Sequence, residues 1–147
     1  MRSVSLQARP KTFFEFPIVS SPFSDDGKTA QLNVIGQVAQ PNSKATASFR
    51  LFDPAGKEVS LSLSTCALGE KQVTFTTPVT EPQTWTAEKP VLYRLEITST
   101  APGQATAVYS KQIGFRDISF DEKKNMLING KVVKLRGANR HLVNPLK

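Results

Sequence analysis

The side chains that could do chemistry are few in this sequence, and most stand alone. The single histidine, His141, directly follows Asn139 and Arg140, so a carboxamide, a guanidinium and an imidazole gather at the end of an apolar stretch. Strand ends are where an α/β barrel places its active site, and donors of this kind bind hydroxyls and stabilise developing charge. With one histidine, one cysteine and no ligand spacing, no metal site is expected. A Ser/His/Asp arrangement cannot be assembled either. The carboxylates offer no convincing acid/base pair: Asp25-Asp26 and Asp121-Glu122 adjoin Gly27 and Lys123 and read as solvated turns. Cys66 lies in an apolar-alternating stretch and reads as a small buried hydrophobe, without a basic partner or helix terminus to activate it. A lone cysteine also excludes an intrachain disulfide, so packing alone must hold the core.

The elements that position these residues follow a period of two, and helical periodicity is absent. Thr12–Pro17 opens a first strand with Phe14 and Phe16 expected on one face. Ala30, Leu32, Val34 and Gly36 alternate with polar neighbours in a second, and Ala45, Ala47, Phe49 and Leu51 in a third. Asp53-Pro54-Ala55-Gly56 is turn chemistry. Val59, Leu61 and Leu63 alternate with Ser60, Ser62 and Ser64 in a fourth strand, and Val73 and Phe75 make a fifth that Pro78 should cut off. Tyr93, Leu95 and Ile97 then share a face. Ala107, Tyr109, Ile113 and Phe115 close the series after Pro102-Gly103. Seven short strands with turn signals between them predict an all-β, immunoglobulin-like antiparallel sandwich. Asn129-Gly130, between Met126-Leu127-Ile128 and Val132-Val133, adds a C-terminal β-hairpin with a type I′ turn. The expected division is a sandwich domain over 1–120 and a hairpin segment over 121–147.

Charge and length restrict the function classes. The 147 residues suit one sizeable core. The net charge of +7 is concentrated at one end: residues 111–147 hold nine Lys/Arg against three Asp/Glu, and residues 1–110 hold ten against nine. That basic segment lacks aromatics for base stacking, so a nucleic-acid partner is not expected; a surface that packs against a neighbour is. No apolar run approaches membrane-spanning length, and Met1–Ser5 has no signal-peptide core. Trp85, before a strand, could stack on a sugar ring but reads better as a plug at the open end of the sandwich, and Tyr93 as a core residue.

Three ordered blocks carry a family resemblance: Arg2-Ser3-Val4-Ser5-Leu6; Trp85 with Glu88, Pro90 and Leu92-Tyr93-Arg94; and Gly114-Phe115-Arg116, Asn129-Gly130-Lys131 and Arg136-Gly137-Ala138-Asn139-Arg140-His141. The set closely resembles glycoside hydrolase family 2, and within it the large β-galactosidases. The resemblance implies the immunoglobulin-like middle domain of such an enzyme running into the first strand of its catalytic (β/α)8 barrel. It implies a retaining hydrolase of terminal β-D-galactose residues, as in lactose, whose two catalytic glutamates and Mg²⁺ ligands come from barrel residues elsewhere. The expected role of this chain itself is therefore structural, with no cofactor of its own. By the same resemblance His141 helps bind the galactosyl unit, Asn139 belongs to the same substrate-binding strand end, and Arg140 holds that end in place. Leu142-Val143-Asn144 before Pro145 departs from the family pattern. The implied partners are the barrel, an N-terminal jelly-roll domain and the galactoside, with a homo-oligomer through exposed strand edges and a bacterial cytoplasmic or periplasmic setting. The alternatives are the same domain of a β-mannosidase or β-glucuronidase, or a free-standing carbohydrate-binding or adhesion module.

Overall fold

The computed structural model describes residues 8–24 and 27–137, and every regular element among them is a strand. In chain order these are β1 (Phe13–Ser20), β2 (Thr29–Ala39), β3 (Thr46–Phe52), β4 (Glu58–Val59), β5 (Thr65–Ala67), β6 (Gln72–Thr80), β7 (Tyr93–Thr100), β8 (Ala107–Ile113), β9 (Ile118–Phe120), β10 (Met126–Ile128) and β11 (Lys131–Val132). One sheet runs β1–β2–β6, and the facing sheet runs β4–β3–β7–β8 with β5 also on β3. All pairings within them are antiparallel. The fold is the expected immunoglobulin-like sandwich. A separate small sheet, β11–β10–β9, follows it.

Alternation in sequence becomes alternation in burial. Ala30, Leu32, Val34 and Val38 of β2, Ala47, Phe49 and Leu51 of β3, and Tyr93, Leu95 and Ile97 of β7 are all buried. Burying such side chains contributes roughly 1.5–3 kcal/mol each for the larger ones. Phe49 of one sheet lies flat on Phe75 of the other, centroids 3.7 Å apart and planes 8° off parallel, and Phe14 meets Phe49 edge-on at 6.1 Å. Gly36 is needed beneath Phe14, because a Cβ there would overlap the Phe14 ring. Buried polar groups are paired: the Phe14 N–H donates to Ser99 Oγ (3.2 Å) and the Thr12 hydroxyl to the Gln40 carbonyl (2.8 Å).

Three expectations about strands fail, each for an identifiable reason. Phe16 does not share a face with Phe14; it is 79% exposed. A bulge separates the pairs Glu15↔Gln37 and Ile18↔Ile35, so one extra residue is inserted and the buried Pro17 takes the inward place. The 59–64 segment is not one strand. Val59 pairs with Leu51 and Cys66 with Ala47, so the edge takes seven steps where β3 takes four. The excess leans toward the opposite sheet, where Thr77 is fully buried. There the Thr77 hydroxyl accepts the Leu63 N–H (3.3 Å) and shares a hydrogen bond with Ser62 Oγ (3.2 Å), which leaves Leu63 47% exposed. Pro78, finally, does not end β6, which continues to Thr80 with Pro78 opposite Gln31. β6 is an edge strand, and an edge accommodates a residue without an N–H.

This packing makes a clear contrast in mutational cost. Phe75→Ala should lose about 3–5 kcal/mol of stability in urea unfolding, as buried aromatics do. Leu63→Ala should stay within about 0.5 kcal/mol, a result that a continuous inward-facing 59–64 strand would not give.

Candidate functional site

Between β6 and β7 the chain meets the segment that follows β8. Thr84 forms a parallel bridge with Phe115, and the Trp85 N–H donates to the Phe115 carbonyl at 2.8 Å. Tyr93 is buried with its ring edge-on to Phe115 (4.9 Å, 88°), and its hydroxyl accepts the Gln83 N–H at 2.9 Å. Trp85 is half-buried and covers Gly114, where any Cβ would sit 2.9 Å from the Trp85 Cβ. The Arg116 guanidinium stacks over the indole at 4.7 Å. Trp85 is thus held at the end of the sandwich by backbone, glycine and cation together.

The Asn129-Gly130 turn docks here. Both residues have positive φ, +50° and +74°, as a type I′ turn requires, and Leu127↔Val132 and Ile128↔Lys131 pair across it. The Asn129 carboxamide turns away from its own hairpin. Its Oδ1 accepts the Asp117 N–H (2.9 Å) and its Nδ2 donates to the Trp85 carbonyl (3.0 Å). The Asn129 N–H donates in turn to the Asp117 carbonyl at 3.0 Å. A donor partner at one end and an acceptor at the other determine the amide orientation. Only a carboxamide satisfies both. The hairpin is also extended by β9, which pairs with β10, so Ile118–Phe120 join the small sheet and not the sandwich. An open groove of ≈ 430 Å³ runs beside the junction, lined by Phe23, Ser24, Thr84 and Asn129 with Asp117 the one acid among its described lining residues.

The other residues singled out for chemistry are scattered. His141, Asn139 and Arg140 lie outside the described residues, as do Asp25 and Asp26. Asp121 accepts the Asn125 N–H and side-chain amide, both at 2.8 Å. The Asn125 side-chain hydrogen bond, with backbone help, holds its carboxyl below the usual range. Glu58 is bidentate to Arg50 (2.9 and 2.6 Å) and is likewise lowered, chiefly by that hydrogen bond. Glu96 pairs with Arg94. Each of these three carboxylates is thus engaged by an amide or a cation and not by a second acid. Cys66 is half-buried, and burial pushes its thiol up, away from the reactive thiolate. Among the described residues no group of three or more His, Cys, Asp or Glu could hold a metal, and no helix is long and apolar enough to cross a membrane.

The family model for glycosyl hydrolases family 2 matches residues 12–116. The chain belongs to that family. The match covers the sandwich and stops at Arg116, where the small sheet takes over. A beta-galactosidase of Lactobacillus delbrueckii subsp. bulgaricus is 29% identical over 140 residues, which is 95% of this chain and 14% of that protein. A beta-galactosidase of Bacteroides ovatus is 31% identical over 124 residues, 80% of this chain and 15% of that one. Among solved structures, the beta-glucuronidase of Parabacteroides merdae superposes with a TM-score of 0.74 at 26% identity, over 89% of this chain and 17% of that one. This chain therefore spans a small part of the length of these family members.

Sequence reasoning identified Asn129 only as a turn former and missed its role as a clamp. The available signal was the choice of Asn over Asp or Gly, which also turn well but cannot both donate and accept through one side chain. Asn129→Ala should weaken docking of the small sheet by about 1–2 kcal/mol, since it strips a partner from the Asp117 N–H and the Trp85 carbonyl. The sole tryptophan reports it: Trp85 emission should shift to the red while the urea midpoint of the sandwich barely moves. A second outcome concerns pH. A depressed folded pKa contributes stability above the ordinary carboxylate range and loses it as pH falls through the folded value. NMR titration of Asp121 should therefore show a low pKa that returns toward the ordinary aspartate value in Asn125→Ala.

Proposed function

We propose that this chain is the immunoglobulin-like middle domain of a β-galactosidase, and that its work there is to hold the first strand of the catalytic barrel in place. The observation that carries the reading is the Asn129 clamp. It ties the Leu127–Lys131 hairpin to the end of the sandwich through Trp85 and Asp117, and by the family resemblance that hairpin leads into the strand ending in Asn139-Arg140-His141. A rigid element placed beneath a site restricts the positional freedom of its groups, and small displacements there cost rate. The galactoside is supported by the curated relatives that the sequence matches at 29% and 31% identity. The second reading, a β-glucuronidase, is supported by the solved structures that share the fold.

In the whole enzyme, the His141 imidazole would hydrogen-bond a hydroxyl of the terminal sugar, with Asn139 beside it. That bond would strengthen as the ring becomes oxocarbenium-like. Retention of configuration needs two carboxyl groups about 5–5.5 Å apart, and these, with any Mg²⁺ ligands, would come from the barrel. The barrel, an N-terminal jelly-roll domain and a second copy are the partners that this reading assigns.

The test is a pair of assays on the full-length enzyme with chromogenic β-galactoside and β-glucuronide. The galactoside should be preferred, and His141→Ala should lower kcat/KM on it by roughly a hundredfold without lowering the melting temperature. Preference for the glucuronide would replace the first reading by the second. The 147-residue chain alone should turn over neither.

A further inference from the structure

Asn129 is followed by Gly130, and that pair has chemistry of its own. A glycine leaves its backbone nitrogen unhindered, so it can attack the preceding carboxamide. The Gly130 nitrogen forms a bond to Asn129 Cγ and closes a five-membered succinimide. The Cγ–Nδ2 bond breaks, and the amine leaves as ammonia with the proton lost from Gly130. Water then opens the ring at either carbonyl, giving aspartate or isoaspartate. Nothing beyond water is needed.

We propose that Asn129-Gly130 is a latent deamidation site which the junction holds shut, and that its conversion undocks the small sheet. Gly130 is exposed, so access does not protect the site; geometry does. The carboxamide is held at both ends by groups outside its own hairpin, the Asp117 N–H at 2.9 Å and the Trp85 carbonyl at 3.0 Å. Both must release before Cγ can turn to Gly130. Two hydrogen bonds of ordinary net strength slow that excursion by roughly tenfold or more.

The product cannot re-dock. An aspartate presents acceptors at both ends, so a charged oxygen would face the Trp85 carbonyl where Nδ2 now donates, with the Asp117 carboxylate lining the same groove. Isoaspartate also lengthens the turn backbone and disrupts the Leu127↔Val132 register. The reaction therefore acts in one direction, separating the small sheet from the sandwich as a molecule ages. This inference rests on the junction geometry and is independent of which glycoside the whole enzyme cleaves.

The experiment follows Asn129 by peptide mapping and mass spectrometry in the full 147-residue chain, held in one mildly alkaline buffer with and without unfolding urea. Conversion in the native chain should be at least roughly tenfold slower than in the unfolded chain. Equal rates would overturn the protective half. The consequence is read separately in Asn129→Asp, where trypsin should cut after Lys131 and Lys134 several-fold faster than in the unchanged protein. Unchanged cleavage there would overturn the undocking half. The native-to-unfolded rate ratio needs no variant, so a poorly folding Asn129→Asp leaves the first half decided.

Discussion

Phe49 lies against Phe75 at the centre of two sheets that no covalent bond joins. With packing alone to join the sheets, their inner faces must interdigitate closely. The other core features follow from that stack. Phe14 reaches Phe49 edge-on only because Gly36 leaves room for its ring. The buried Thr77 draws the 60–63 segment off the sheet edge to satisfy its hydroxyl. At the far end, Tyr93 and Phe115 repeat the aromatic contact and close the core.

Beyond Phe115 the contacts position the next element as well as pack the core. The segment after β8 that supplies Phe115 also supplies Gly114 beneath Trp85 and Arg116 above it. Trp85 presents its carbonyl to Asn129, and Asn129 holds the hairpin. A core contact is thereby connected, through four neighbouring residues, to the element that follows the domain. Among the described residues no group of three or more His, Cys, Asp or Glu could hold a metal. The sandwich itself carries the match to glycosyl hydrolases family 2, and its last contacts lead outward to the small sheet.

Much of the fold was legible because strands declare themselves by alternation. Leu32, Val34, Phe49, Leu51, Leu95 and Ile97 all went inside as their parity required. The failures occurred where parity is broken by something non-local. Phe16 and Leu63 look inward in sequence, but a bulge opposite Gln37–Ile35 and a hydroxyl on another sheet decide their direction. Pro78 looks like a stop only if the strand has two neighbours, and sequence does not say which strands are edges. The candidate site was half legible. Asn129-Gly130 announced a turn through its φ requirements, while the partners of the Asn129 side chain lie twelve and forty-four residues away, beyond any local pattern.

The small sheet docks on a sandwich that stands without it. Native-state hydrogen exchange under rising urea tests this most directly. The amides of Leu32, Phe49 and Leu95 should exchange only through global unfolding. Those of Asp117 and Asn129, which pair with each other one rung beyond the β9–β10 ladder while Asn129 Nδ2 reaches the Trp85 carbonyl, should exchange through a smaller, cheaper opening while remaining clearly protected. Unprotected exchange at Asp117 and Asn129 in a chain whose sandwich is intact would mean that the clamp does not hold in solution.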